Sequence, residues 1–257
     1  MAETRPVIVP IENLAQDPYR SLVAYPNPTA EAFESRTAQL IDLGITGLEF
    51  QGRLKIGKLS VLGKGVVGLV FSGRAGDDRV AVKIRRVDSR RNSMNHEAVM
   101  IKAANNAGIG PEFLGSSRDV LKMQFVEGQS LPSWVTSVKG RGTRARVRST
   151  FKALFEQCAR LDAYGLDHGE LSRAHKNILV SPEDRPWILD FESASLMRRV
   201  NNFTSITQYL FLSGRFSRSV SRILGPIERD ELLSYLRSYK AGRTNDAFEA
   251  VLKMLRF

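Results

Sequence analysis

Three observations predict an α+β chain of two lobes, a small antiparallel sheet with one helix followed by a mainly helical lobe. Residues 48–87 alternate in strand fashion through LEFQGRLKIGKLSVLG, GLVFSGR and RVAVKIRR, with Gly73, Gly76, Asp77 and Asp78 marking the turn between the last two runs. Beyond about residue 132 the pattern is helical, interrupted by short strands around NILV and WIL. The switch falls at Glu127–Gly128, ahead of the connector GQSLPSW. The organisation that follows is an N-terminal arm and helix over 1–47, a first lobe over 48–127 and a second over 128–257.

The elements follow in order. Residues 1–28 carry Pro6, Pro10, Pro18, Pro26 and Pro28 with little periodicity, which predicts an irregular arm. Pro28 starts a helix over roughly 29–43, with Phe33, Leu40 and Leu43 on one face and Gly44 ending it. Residues 93–107 read as a helix broken by Gly108, Gly110 and Pro111, and FLGSSRDVL and LKMQFV read as strands.

At 257 residues, with 42% apolar and 25% charged content, the chain can bury a sizeable core. No run approaches the ~20 apolar residues of a membrane span, and MAETRPVIVPIENL lacks the pattern of a signal peptide. Cys158 is the only cysteine, which excludes an internal disulfide and a cysteine zinc cage, and its setting in FKALFEQCARLDAYG reads as a buried thiol on an amphipathic helix. A cytoplasmic protein with no membrane partner is the expectation. The net charge of +11 favours polyanionic partners, RNA or a ribonucleoprotein among them. The densest basic run is Lys139, Arg141, Arg144, Arg146 and Arg148. Another lies at Arg85, Arg86, Arg90 and Arg91, and more arginines scatter from Arg198 to Arg222. The plainer reading of these runs is a solvated surface. No aromatics are interleaved with them, so a stacking platform for single strands is not indicated.

The chemistry begins with two short apolar strands that each deliver an oxygen-bearing side chain, Asn177 in HKNILV and Asp190 in WILDFES, thirteen positions apart. A hairpin can hold that amide and that carboxylate against one divalent ion, and oxygen ligands of this kind suit magnesium. Upstream, Gly63, Gly65 and Gly68 sit in GKGVVGLV. Strand-like residues follow them, so they form a hairpin able to close over phosphates, unless the turn is purely structural. Lys83, fifteen residues after Gly68, shares a strand face with Ala81. An inward ammonium needs an anion. Glu97 in NHEAVMIKAAN is the candidate, with Lys83 bridging it to nucleotide phosphates; the alternative is an edge-strand lysine and a solvated glutamate.

Taken in order, glycine hairpin, strand lysine, helix glutamate, the loop HGELSRAHKN and the triplet Asp190-Phe191-Glu192 resemble the protein-kinase superfamily. HGELS is similar to the HGDLS of its small atypical members, the RIO-type enzymes and the kinase of the KEOPS tRNA-modification complex. The run HGELSRAHKNILV, with ILDFESAS and NNFTSITQYLFLSG, resembles a related group of archaeal predicted serine/threonine kinases. The resemblance covers about residues 55–215. It implies a two-lobed kinase-like fold with a reduced helical C-lobe, binding ATP and magnesium and phosphorylating a serine or threonine of an unknown protein substrate, or of itself. It places adenine between Leu62, Val70 and Ala81 on one side and Leu179 on the other, meeting backbone groups around Gln124 and Val126, with Met123 at the back. Asn177 and Asp190 become the metal ligands and Glu170 the loop carboxylate that orients the attacking hydroxyl.

Four departures qualify this. Glu170 stands where the family has aspartate; it lies seven residues before Asn177 rather than five; Glu192 replaces the glycine of D-F-G; and no A-P-E follows. Asp167 is an alternative carboxylate. His168 and His175 flank the loop, His168 as an orienter of the backbone, His175 with Lys176 as a phosphate contact. The departures keep two rival readings open: a nucleotide-binding pseudokinase scaffold, and an ATPase associated with RNA or ribosome assembly.

Overall fold

A computed structural model describes residues 8–212 and 214–257. It is a mixed α+β protein whose strand pairs are antiparallel. The chain divides into two compact units. The first runs up to Lys102 and includes Glu112–Phe125; the second comprises Ala103–Pro111 and Val126–Phe257.

In the first unit the described part of the arm is built of regular elements. Strand β1 (Ile8–Pro10) is followed by a 3-10 turn at Ile11–Ala15 and by helices α1 (Tyr19–Val23) and α2 (Ala30–Asp42). Then come strands β2 (Gly47–Glu49), β3 (Leu54–Ile56), β4 (Leu59–Val61), β5 (Gly63–Lys64), β6 (Gly68–Ala75) and β7 (Asp78–Arg85). Helix α3 (Asn95–Asn106) and strands β8 (Phe113–Ser116) and β9 (Val120–Gln124) follow, the last residues of α3 being counted with the second unit. The expectation of an irregular arm fails because β1 spans three residues, too few for alternation to register, and gains its strand character only by pairing Ile8–Pro10 with Gly47–Glu49. Thr29, not Pro28, starts α2: its side chain accepts a hydrogen bond from the Ala32 amide and satisfies a donor of the first turn.

The main sheet runs β1-β2-β6-β7-β9-β8, and β5 and β2 occupy successive stretches of the same edge of β6. Each face of β7 has its own cover. Val80, Val82 and Ile84 point into a core with Leu14, Val23, Phe33 and Leu40 from the arm and α2. The opposite face, which carries Ala81 and Lys83 by strand alternation, belongs with the smaller apolar cluster of Val67, Met94, Ala98 and Leu121 beside α3. Burial on both faces makes β7 read as a nearly continuous apolar run. Charged residues inside this unit are held by several partners. Glu49 is fully buried and accepts from Ser72, Gln51, Arg74 and Arg79. Arg85 pairs with Asp119 and Arg86 with Asp88, so these two members of the second basic run are neutralised. Burial alone would push the Asp119 carboxyl up, but hydrogen bonds from Gln39 and Arg85 outweigh it and hold the group below the ordinary range.

The second unit opens with β10 (Gln129–Ser130) and α4 (Leu131–Ser137), which Ser130 caps. The long helix α5 (Thr143–Tyr164) ends at Gly165, whose φ of 86° suits glycine. Strands β11 (Ile178–Val180) and β12 (Pro186–Ile188) complete a three-stranded sheet ordered β10-β11-β12. Helices α6 (Asn202–Phe211), α7 (Gly214–Leu224), α8 (Arg229–Gly242) and α9 (Asn245–Met254) follow. The Asp162 carboxylate on α5 ties these together, accepting from the backbone of Asn202 and Phe203, the Asn202 side chain and the Tyr239 hydroxyl. Burial nevertheless holds the Asp162 carboxyl above the ordinary range. Among the described residues no helix is long and apolar enough to cross a membrane.

Candidate functional site

The predicted residues fall into two groups, one in each unit. In the first unit the glycine segment folds as a hairpin, with Gly63 opposite Val70, Lys64 opposite Leu69, and the Gly65 amide donating to the Gly68 carbonyl at 2.8 Å. Leu62 and Lys64 are exposed, Val70 half-buried and Ala81 buried. Gly68 has a structural duty as well: a Cβ there would lie 2.8 Å from the Ile84 carbonyl oxygen and 3.1 Å from Lys83 Cγ. The hairpin can approach β7 closely only because this position has no side chain.

Lys83 and Glu97 meet as anticipated. Nζ lies 2.9 Å from Oε1, with the two side chains only 3% and 5% exposed. The strand register determines which way Lys83 points, and α3 brings Glu97 to the same face. Burying such a pair costs desolvation that its close, hydrogen-bonded geometry must repay. The Gln124 backbone N–H donates to the Glu112 carbonyl and its side chain accepts from the Glu112 amide. Of the predicted adenine contacts there, that N–H is therefore committed within β9 and its neighbour.

In the second unit the hairpin of β11 and β12 pairs Ile178 with Ile188, and the Leu189 amide donates to the Asn177 carbonyl. This register puts Asn177 and Asp190 at the same end of the hairpin. Asp190 has φ 65°, a left-handed backbone that is uncommon outside glycine and that asparagine and aspartate adopt more readily than other residues. The one-turn helix Phe191–Ser193 then folds back, bringing carboxylate oxygens of Asp190 and Glu192 within 4.8 Å of each other. Glu192, which the sequence presents only as a substitute for glycine, thus joins the possible cation ligands. Phe191 is buried against the His168 ring, with centroids 5.1 Å apart. Leu179 is half-buried on β11, as is Val126 before β10.

The loop carboxylate is held from both sides. Ser193 Oγ donates to Glu170 Oε1 at 2.7 Å, and Asn177 Nδ2 to Oε2 at 3.3 Å. Asn177 spends its amide nitrogen on Glu170, which leaves Oδ1 as its ligand atom. The two-residue expansion of the loop therefore still returns Glu170 to Asn177. Ser193 was invisible to sequence reasoning, since nothing local marks a serine that reaches back 23 positions. Asp167, the alternative carboxylate, is buried, accepts from Arg198 Nε at 2.5 Å and from the Asn201 amide at 3.0 Å, and so braces the loop.

His168 is fully buried. Its Nε2 lies 2.9 Å from the Leu189 carbonyl and its Nδ1 accepts from the Glu170 amide at 3.4 Å. A donor at Nε2 and an acceptor at Nδ1 define the neutral ring, and burial pushes its pKa down. The histidine thereby fixes the backbone on either side of Glu170 and Asp190. His175 and Lys176 are exposed beside Asn177. Cys158 is fully buried, and burial pushes its thiol far up, which leaves it unreactive.

No known family's sequence profile matches the chain. An uncharacterized protein of Methanocaldococcus jannaschii is similar, 25% identical over 117 residues that cover 46% of this chain and 94% of the archaeal protein.

Proposed function

We propose that this protein is an ATP- and magnesium-dependent kinase of the atypical, RIO-like kind, with a two-lobed kinase-like fold, transferring a γ-phosphoryl group to a serine or threonine. The observation that carries this reading is the buried Lys83–Glu97 ion pair beside the Gly63–Gly68 hairpin. The order of motifs anticipates that pairing from residues fourteen positions apart, and phosphoryl-transfer enzymes use such a pair to hold the nucleotide phosphates. In this reading Lys83 neutralises the phosphates while Glu97 holds the ammonium in place. Leu62, Val70 and Ala81 cover one face of the adenine.

Asn177 Oδ1 and the carboxylates of Asp190 and Glu192 are hard oxygen donors of the sort magnesium takes, and the shared end of the β11–β12 hairpin supports their joint use. The ion would supply charge neutralisation on the phosphates. Glu170 accepts the proton of the attacking hydroxyl, and Ser193 and Asn177 keep its two oxygens aimed. Those same two hydrogen bonds favour a second reading, in which Glu170 staples the loop of a nucleotide-binding pseudokinase.

Phosphate transfer from radiolabelled MgATP to the protein itself and to a generic protein substrate separates the two. Transfer that falls ~10²–10⁴-fold in Glu170→Gln, with ATP binding retained, is the kinase result. Glu170→Asp is expected to be impaired too, because the shorter side chain withdraws from Ser193 and Asn177. MgATP binding without any transfer by the wild type is the pseudokinase result, and absence of ATP binding refutes both.

A further inference from the structure

The folded second unit gathers basic residues that the sequence scatters. Residues 128–155 hold six Lys and Arg and no Asp or Glu, and residues 193–227 hold five and none. The two acid-free stretches meet in space, since α7 packs against α4 and α5, and Arg144 Nε donates to the Ile223 carbonyl at 2.9 Å.

On α5, Arg144, Arg148 and Lys152 recur every fourth residue beside the buried line of Val147, Phe151 and Leu154; Arg144 and Lys152 are exposed, and Arg148 is half-buried with its Nε withdrawn from solvent. On α7, Ser217, Val220 and Leu224 are buried, while Arg215, Arg218 and Arg222 are exposed on the opposite side. Among the described residues none of these six cations has a carboxylate within salt-bridge distance, whereas Arg146, nearby in sequence, is neutralised by Asp184. An unneutralised double stripe repels itself and is disfavoured in the free protein.

We propose that the α5–α7 surface binds the phosphate backbone of double-stranded RNA. Five of the six cations are arginines, whose planar guanidinium matches phosphate bidentately. Successive members of a stripe are about 4.5–6 Å apart along the helix axis, giving a row of contacts rather than a single anion site. Phe216, the aromatic residue of α7, is stacked on Tyr209 and so is withheld from base stacking, which favours a duplex over a single strand. None of the exposed large apolar side chains lies on α7 or on the Arg144–Lys152 stretch, so the apolar centre that an acidic protein partner would require is missing there. Two packed helices present a broad basic face rather than one projecting helix, and such a face suits the wide, shallow minor groove of A-form RNA.

The test is titration of the full-length protein with a fluorescent RNA duplex of two helical turns at several salt concentrations. The companions are Arg215→Gln/Arg218→Gln/Arg222→Gln and a charge-matched control, Lys55→Gln/Lys58→Gln/Lys240→Gln. Six phosphate contacts give a log–log salt slope of about −5, and the α7 variant is expected near −3 with affinity reduced roughly tenfold or more. The control keeps the wild-type slope. Equal slopes for the α7 variant and the wild type would overturn the location. Equal affinity for a B-form DNA duplex of the same sequence would overturn the assignment to RNA, as would preference for polyglutamate-rich protein over either duplex. Thermal melts of the variant guard against loss of fold, since its three positions face solvent.

Discussion

Replacing Lys83 by methionine tests whether the Lys83–Glu97 pair serves stability or nucleotide. The pair is almost wholly withdrawn from water, with its atoms 2.9 Å apart, so the substitution takes the ammonium from beside a buried carboxylate. Breaking one side of such a pair costs about 3–5 kcal/mol. In a chain of this size each kcal/mol moves the melting temperature by roughly 2–4 °C, which gives a fall of roughly 6–20 °C for the single variant. The double variant Lys83→Met/Glu97→Leu removes both charges and keeps approximate volume. It should recover most of that loss, because apolar replacement of a buried pair is often neutral or stabilising. The assay is differential scanning fluorimetry with and without MgATP. A ligand that binds only the native state raises the midpoint by mass action, so the wild type should shift upward at saturating nucleotide. The double variant, though stable, should show no shift. A MgATP shift retained in the double variant would refute the assignment of Lys83 to the phosphates. A single variant as stable as the wild type would refute the claim that the pair is shielded from solvent.

Two further outcomes follow from geometry elsewhere. The buried, neutral His168 has its pKa depressed, so the unfolded chain takes up that proton first; its contribution is complete above the unfolded value of ~6.5 and is lost as pH falls through the folded value. Unfolding free energy should therefore decline as pH falls below about 6.5, with an added slope of up to ~1.4 kcal/mol per pH unit, and His168→Gln should remove that component in denaturant titrations; an unchanged slope would contradict a buried neutral ring. Gly68→Ala should cost about 1–3 kcal/mol by overpacking, because its Cβ meets the Ile84 backbone oxygen at 2.8 Å, and it should weaken MgATP binding by displacing Lys83; a melting temperature equal to that of the wild type would show that the hairpin gives way freely.

What the chain discloses by itself is whatever depends on neighbours in sequence. Strand alternation places Ala81 and Lys83 on one face, and the turn at Gly76-Asp77 separates β6 from β7. The spacing of Asn177 and Asp190 suffices for a hairpin that ends with both residues side by side. These follow from local backbone periodicity and turn chemistry, which act over a few residues. The arm's strand β1 was not legible, because a three-residue strand acquires its identity from Gly47–Glu49, nearly forty residues away. Nor was the division of labour among the loop carboxylates. The sequence puts Glu170 first and leaves Asp167 as an alternative; in the fold Ser193 and Asn177 flank the first while Arg198 and the Asn201 amide hold the second. The basic runs likewise separate only in the fold. Arg85, Arg86 and Arg146 find carboxylates, whereas Arg215, Arg218 and Arg222 line up without them on the outer side of α7. In each case the deciding partner is remote along the chain. Electrostatic and hydrogen-bond pairing depends on distance in space, which tertiary packing alone determines.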